Sequence, residues 1–236
     1  MRSGRLAALC GIAGPAAFTT AWVVGSLRQA GYPATAVQLS GLAAEDARDP
    51  RIMISGFVAL GACTAAFGAG LSRVTAPRAA GARLVMCAGA ATVAAGVFRR
   101  DHMLLSGPGF TGESWHNQVH DVASGIAYGA MLVAPLVLAW RLRGDPGWAA
   151  ASRLVMAFGL ASAAALAVFA SGVAQPWNGA VQRAAVTLAL TAEAAAAARM
   201  LTLPRASPEP VPAPVRGRPR RSCQGARGDR RPPVWR

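Results

Sequence analysis

The chain has 236 residues, 53% of them hydrophobic and only 14% charged, with a mean hydropathy of +0.35, too apolar for an ordinary soluble domain of that length. Its net charge of +14 comes from 24 basic residues, all Arg, against 10 acidic ones, and the accompanying Ala and Gly richness marks this as compositional bias rather than a nucleic-acid chemistry. From Pro204 onward nine Arg oppose Glu209 and Asp229, so +7 of the excess lies in a tail and the class expected of the remainder is a membrane protein.

A bilayer core asks for roughly 20 apolar residues per helix, and six segments approach this. The first runs from Leu6 to Leu27. Within it LAALC resembles a lipoprotein cleavage site, but Leu9 is too bulky before Cys10 and the preceding apolar stretch too short, so the segment is expected to be retained. A loop from Gln29 to Pro50 opens on a Gly31, Tyr32, Pro33 turn and continues into VQLSGLAA, which predicts a short interfacial helix. The second segment spans Ile52 to Leu71. The third, Ala82 to Phe98, is short, and Arg83 lengthens it by snorkelling.

The next loop holds all three histidines, His102, His116 and His120, beside Asp101, Glu113 and Asp121. Gly107, Pro108 and Gly109 forbid regular structure at its middle. The fourth segment runs from Val119 to Trp140 and the fifth from Leu154 to Ser171. A brief hairpin, VAQPWNG, places Trp177 in the headgroup zone before the sixth, Ala180 to Leu201. The domains expected are therefore 1–203, a six-helix transmembrane unit, and 204–236, a Pro- and Arg-rich tail without fixed structure.

Arg in the short loops sets orientation. One side carries Arg2, Arg5, Arg73, Arg78, Arg83, Arg141, Arg143 and Arg153 with Asp145 as the single acid. On the other, Arg28, Arg48, Arg51, Arg99, Arg100 and Arg183 are balanced by Glu45, Asp46, Asp49, Asp101, Glu113 and Asp121. Both termini are thus expected in the cytoplasm, with the histidine loop outside the plasma membrane.

Ionisable groups inside or against a bilayer are costly and tend to serve a purpose. His116 and His120 are four apart and share a helix face if the fourth helix begins by Trp115, a spacing that can chelate a metal with Asp101 or His102 as a third ligand. The competing expectation is solvated histidines in the headgroup layer. From Asp121 a polar stripe continues through Ser124 and Tyr128, overlapping Gly125 and Gly129, a GxxxG that would draw a neighbouring helix close. Arg183 is expected to pair with Asp101 or Asp121, or to snorkel. Glu193 lies deeper among alanines, where it would be protonated, paired or, if the helix ends early, interfacial. The tail suits anionic lipid headgroups; aromatics interleaved for nucleic acid are absent except Trp235. The four cysteines, Cys10, Cys63, Cys87 and Cys223, show no CxxC spacing. Phosphate-binding, dinucleotide and common hydrolase motifs are missing.

In order and position, Gly31, Tyr32 and Ser40 in the first outer loop, Asp101 after the third helix, His120 opening the fourth, and Gln182–Arg183 opening the sixth resemble a bacterial and archaeal family of six-helix membrane proteins, domain of unknown function 998. The resemblance spans the six segments and leaves out the tail. Where the family often has Phe-Pro before its Asp, this chain has Phe98, Arg99 and Arg100. The resemblance implies a six-helix fold and no particular activity, and of the three histidines it covers His120 alone.

Together these readings give an all-helical, six-span membrane protein without a predicted cofactor. Its expected site, on the outer face, combines Tyr32, Asp101, His120, Asp121, Gln182 and Arg183 to bind a lipid headgroup, small ligand or partner protein. The alternative is an intramembrane lipid-directed hydrolase or transferase, metal-assisted through His116, His120 and Asp101. A transporter built on Glu193 would call for broken, polar helices that the sequence lacks.

Overall fold

In the computed structural model of the protein, the described residues are 2–102 and 114–203. The Gly107–Gly109 turn, Glu113 and the tail with its expected disorder lie outside them. Helices make up all the regular structure among the described residues: α1 (Arg2–Arg28), α2 (Pro50–Val74), α3 (Ala80–Val97), α4 (Trp115–Leu142), α5 (Ala149–Ser171) and α6 (Asn178–Thr202). All six are long and apolar enough to cross a membrane.

Several helices begin before their apolar segments, because a helix ends where its free amides find partners rather than where the side chains turn polar. α4 starts at Trp115 because Ser114 Oγ accepts the Asn117 amide at 3.2 Å, a side-chain cap. Pro50 occupies the first position of α2, where its missing N–H costs nothing. Exposed Trp115 and Trp177 stand at one end of the bundle and exposed Trp140 at the other. Trp115 and Trp140 are about 37 Å apart along α4 at 1.5 Å per residue, enough to bracket a hydrocarbon core of about 30 Å.

The two ends pack differently. At the end holding the first turn of α1 and the last of α6, here the terminal end, Ala8, Phe67, Leu71, Ala82, Leu138, Val155 and Ala197 belong to one buried cluster drawn from all six helices. Towards the other, the loop end, a second cluster is centred on Phe18, Leu39, Leu42, Met53, Leu60 and Val186. Between them α2 and α3 touch backbone to backbone: a Cβ on Gly61 would sit 2.5 Å from the Gly89 carbonyl oxygen.

Two sequence expectations need correction. VQLSGLAA does form a short helix, a 3-10 helix at Leu39–Ala43, but every one of its residues is buried rather than laid on an interface, and it folds over the loop end as a plug. The turn before it follows from Gly31, whose φ of 67° is open to glycine at little cost. Secondly, Gly125 and Gly129 draw no helix close, since a Cβ on either would meet nothing within 4 Å. α4 instead packs through Ala123, Ala127, Ala130 and Ala134, all buried, a stripe at helical spacing on another face.

Candidate functional site

Three polar assemblies occupy the loop end. In the first, Arg183 near the start of α6 reaches the first loop. Its Nη1 donates to the carbonyls of Ala34 (2.6 Å), Val37 (2.9 Å) and Gly179 (2.9 Å), and its Nη2 donates to the Tyr32 hydroxyl. The guanidinium also faces the rings of Trp22 and Tyr32, 5.6 and 5.5 Å from their centroids, within cation–π range. Tyr32 in turn donates to the Gln38 carbonyl at 3.1 Å. Burial pushes the Tyr32 phenol up from its ordinary value, and the nearby Arg183 partly offsets this.

The expected ion pair between Arg183 and Asp101 or Asp121 is not formed. α6 opens against the first loop and α1, whereas both carboxylates sit with the start of α4. A guanidinium offers five donors and no acceptor, so backbone carbonyls can take the place of a carboxylate as its hydrogen-bond acceptors.

The second assembly closes the histidine loop. Asp101 accepts from the Ser114 amide (2.7 Å) and hydroxyl (2.6 Å), and these bonds hold its carboxyl below the usual range. Asn117 links both acids: its Oδ1 accepts the Asp101 amide at 3.2 Å and its Nδ2 donates to Asp121 at 3.0 Å. Asp101 therefore fastens the end of α3 to the start of α4. His116 is exposed and stacked on Trp115, ring centroids 3.8 Å apart, while His120, on the same helix, is 1% exposed. The two do not converge, and among the described residues no three His, Cys, Asp or Glu side chains are grouped to hold a metal.

The third assembly surrounds a chamber. His120 Nδ1 lies 2.8 Å from the Ala95 carbonyl oxygen and 2.9 Å from that of Phe98. Both are acceptors, so Nδ1 carries the hydrogen, and in the neutral ring Nε2 is the acceptor. Across the bundle, buried Gln182 accepts the Leu39 amide at 2.7 Å and donates to the Tyr128 hydroxyl at 2.7 Å. That leaves the phenolic hydrogen of Tyr128 free to donate.

Between these groups is a cavity of about 230 Å³. Its polar lining is Gln38, Ser40, His120, Asp121, Ser124, Tyr128 and Gln182; Phe18, Phe57, Leu60, Met131, Phe169 and Val186 are among the apolar side chains. Asp121 and Gly125 line it yet are exposed, so on the α4 side the chamber opens laterally out of the bundle. Buried Arg100 stands behind the polar wall, its Nη1 3.2 Å from Gln38 Oε1 and 3.4 Å from Ser40 Oγ.

Among the residues singled out from sequence, His120, Asp121 and Gln182 therefore line one chamber. Tyr32 and Arg183 brace its plug and Asp101 fastens a nearby loop. Ser124 and Tyr128, expected to be packing residues, line the chamber too. Sequence reasoning missed its aromatic walls and Arg100. Phe57 and Phe169 look like any other apolar helix residue, and nothing in the sequence separates buried Arg100 from half-buried Arg99, which pairs with Glu45 at 3.3 Å.

Residues 12–199 match the model of a family described as Protein of unknown function (DUF998). The chain belongs to this family. The match begins within α1 and ends within α6, so all six helices of the DUF998 fold are covered. No functionally curated protein and no solved structure matches the chain. Of the residues that carry the family resemblance, Ser40, His120 and Gln182 line the chamber, and Gly31, Tyr32 and Arg183 shape or anchor the loop that plugs it.

Proposed function

We propose that this DUF998 protein is a plasma-membrane module that binds a neutral, hydroxyl-bearing single-chain amphiphile in the chamber, with the loop end outside the cell and both termini in the cytoplasm. The observation that carries the reading is a largely apolar chamber with several polar groups in its lining, whose α4 side includes the exposed Asp121 and Gly125. A volume of about 230 Å³ exceeds the roughly 150 Å³ that accommodates benzene, which suits a headgroup and the start of one chain. His120 Nε2 and the Asp121 carboxylate accept hydrogen bonds, whereas Tyr128 and Ser124 donate, a mixture matched by hydroxyls. Asp121 lines the chamber and Arg100 stands behind it, so the local charge is balanced and a bare anion gains little. The Arg distribution supports the orientation.

Native mass spectrometry of delipidated protein, titrated with a monoacylglycerol and separately with the matching fatty acid, tests this. One bound monoacylglycerol is expected, with weaker binding of the acid. Gly125→Trp, at an exposed lining position where a Cβ would meet nothing within 4 Å, should abolish the monoacylglycerol adduct. Equal binding of both probes, or binding unchanged by Gly125→Trp, contradicts the proposal.

One observation favours a second reading, a lipid-directed hydrolase or transferase. His120 Nε2 is a chamber-lining acceptor beside Asp121 and would serve as a general base. Turnover of the same monoacylglycerol, lost in His120→Gln with the adduct retained, would select that reading.

A further inference from the structure

The chamber continues inward. Leu60, Thr92 and Met131 border it and also border a second cavity of about 40 Å³ near the middle of the bundle. Glu193 is the one ionisable side chain in the lining of this inner cavity, and Thr64 and Thr92 supply its hydroxyls. On the far side Phe67, Leu138 and Val155 belong to the terminal-end cluster. The chamber and the inner cavity therefore share a wall at Leu60, Thr92 and Met131, and a carboxyl stands in the inner one.

The contacts of Glu193 suit exchange of a proton. Thr64 Oγ1 lies 2.9 Å from one carboxyl oxygen and 3.1 Å from the other, yet a hydroxyl has a single hydrogen. In the acid form the two groups satisfy each other: Glu193 O–H donates to Thr64 Oγ1, which donates to the second oxygen. In the ionised form one oxygen needs another donor, and a cavity of about 40 Å³ exceeds the roughly 10–15 Å³ that one water requires.

The surroundings offer no counter-ion among the described lining residues. α2 presents Thr64, with the Cys63 thiol close by and Cys10 of α1 beside it. α3 presents Thr92, α4 Met131 and Pro135, and α5 Val155. The next charged or titratable groups, across that shared wall, are His120, Asp121 and Tyr128 in the chamber.

We propose that Glu193 is a proton-binding site served from the loop end: its proton passes to water in the inner cavity, then past the Thr92 neck into the chamber. On the terminal side the buried cluster of Phe67, Leu138 and Val155 borders the inner cavity. An occupant of the chamber would cover the route, so ligand binding and proton exchange become linked. That linkage rests on the amphiphile reading, whereas the proton site needs only the two cavities.

The test uses infrared difference spectroscopy of the full chain in lipid, with no ligand added. Raising the bulk pH should remove a protonated-carboxyl C=O stretch that is missing altogether from Glu193→Gln. On transfer to heavy water the deuterium shift of this band should slow several-fold in Thr92→Val, which keeps the neck's shape and deletes its hydroxyl. If Glu193→Gln fails to fold, Glu193→Asp keeps the acid and should displace the band. A spectrum unaltered by either Glu193 substitution, or exchange at wild-type speed in both Thr92→Val and Met131→Trp, overturns the proposal. Either result stands apart from the monoacylglycerol adduct, which Glu193→Gln should leave in place.

Discussion

The terminal and loop halves of this bundle draw on the same alphabet of Ala, Gly, Leu and Val, yet the terminal cluster borders only the inner cavity of about 40 Å³, whereas the loop half holds the chamber of about 230 Å³. In the terminal half small residues meet small residues, as where Gly70 of α2 is wedged between Ala7 of α1 and Met200 of α6. Large side chains such as Leu71 and Leu142 then fill what remains. In the loop half Phe57, Tyr128 and Phe169 stand between helices, and Gln182 reaches across to Leu39 and Tyr128. Small residues close a membrane bundle only where both helices offer them at the same level. Gly61 and Gly89 do so, whereas Gly125 and Gly129 lack a partner and leave an opening.

That contrast breaks most readily at the α2–α3 crossing. Gly61→Leu should abolish folding in detergent, because its Cβ alone would overlap the Gly89 carbonyl; a folded, monodisperse variant would mean the crossing is looser than described. Leu71→Ala in the terminal half, fully buried and lining neither cavity, should cost roughly 2–5 kcal/mol, transfer and cavity costs combined. Phe169→Ala, bordering an existing space, should cost clearly less in the same thermal unfolding assay. Reversal of that order would erase the distinction between the halves.

Smaller effects sharpen the picture of the loop end. His120→Ala removes the partner of two α3 carbonyls and should cost about 1–3 kcal/mol, with Arg183→Met destabilising the first loop by a comparable amount, read as faster proteolysis between Gln29 and Pro50. The smallest expected effect is pH-dependent. The Asp101 carboxyl is held below its ordinary value by Ser114, so its contribution is present above that value and fades as pH falls through the folded value. Asp101→Asn should flatten the acid limb of stability below about pH 4 by lowering stability at neutral pH, with little change at the acid end; an unaltered acid limb would remove Asp101 from the clasp.

The helices were legible because about 20 apolar residues leave a segment little choice in lipid. The site was legible only in part. His120 and Gln182 stood out as polar groups opening apolar segments, and both line the chamber. The partners were not readable: Arg183 was expected on a carboxylate and found carbonyls, since spacing along one helix says nothing about which loop will fold over it. His116 and His120 share a helical spacing, and only tertiary packing exposes one and buries the other. The plug at Leu39–Ala43 was equally hidden, because its burial depends on Gln182, more than a hundred residues away.

The central claim is that the loop half, and not the terminal one, receives an amphiphile from the bilayer. Photocrosslinking of the full chain in lipid with a diazirine-bearing monoacylglycerol tests this most directly, with labelled peptides mapped by mass spectrometry. The account predicts label concentrated on the stretch from Asp121 to Met131 and around Phe169, lost in Gly125→Trp. Label spread evenly over the lipid-facing surfaces of both halves, indifferent to Gly125→Trp, would contradict it.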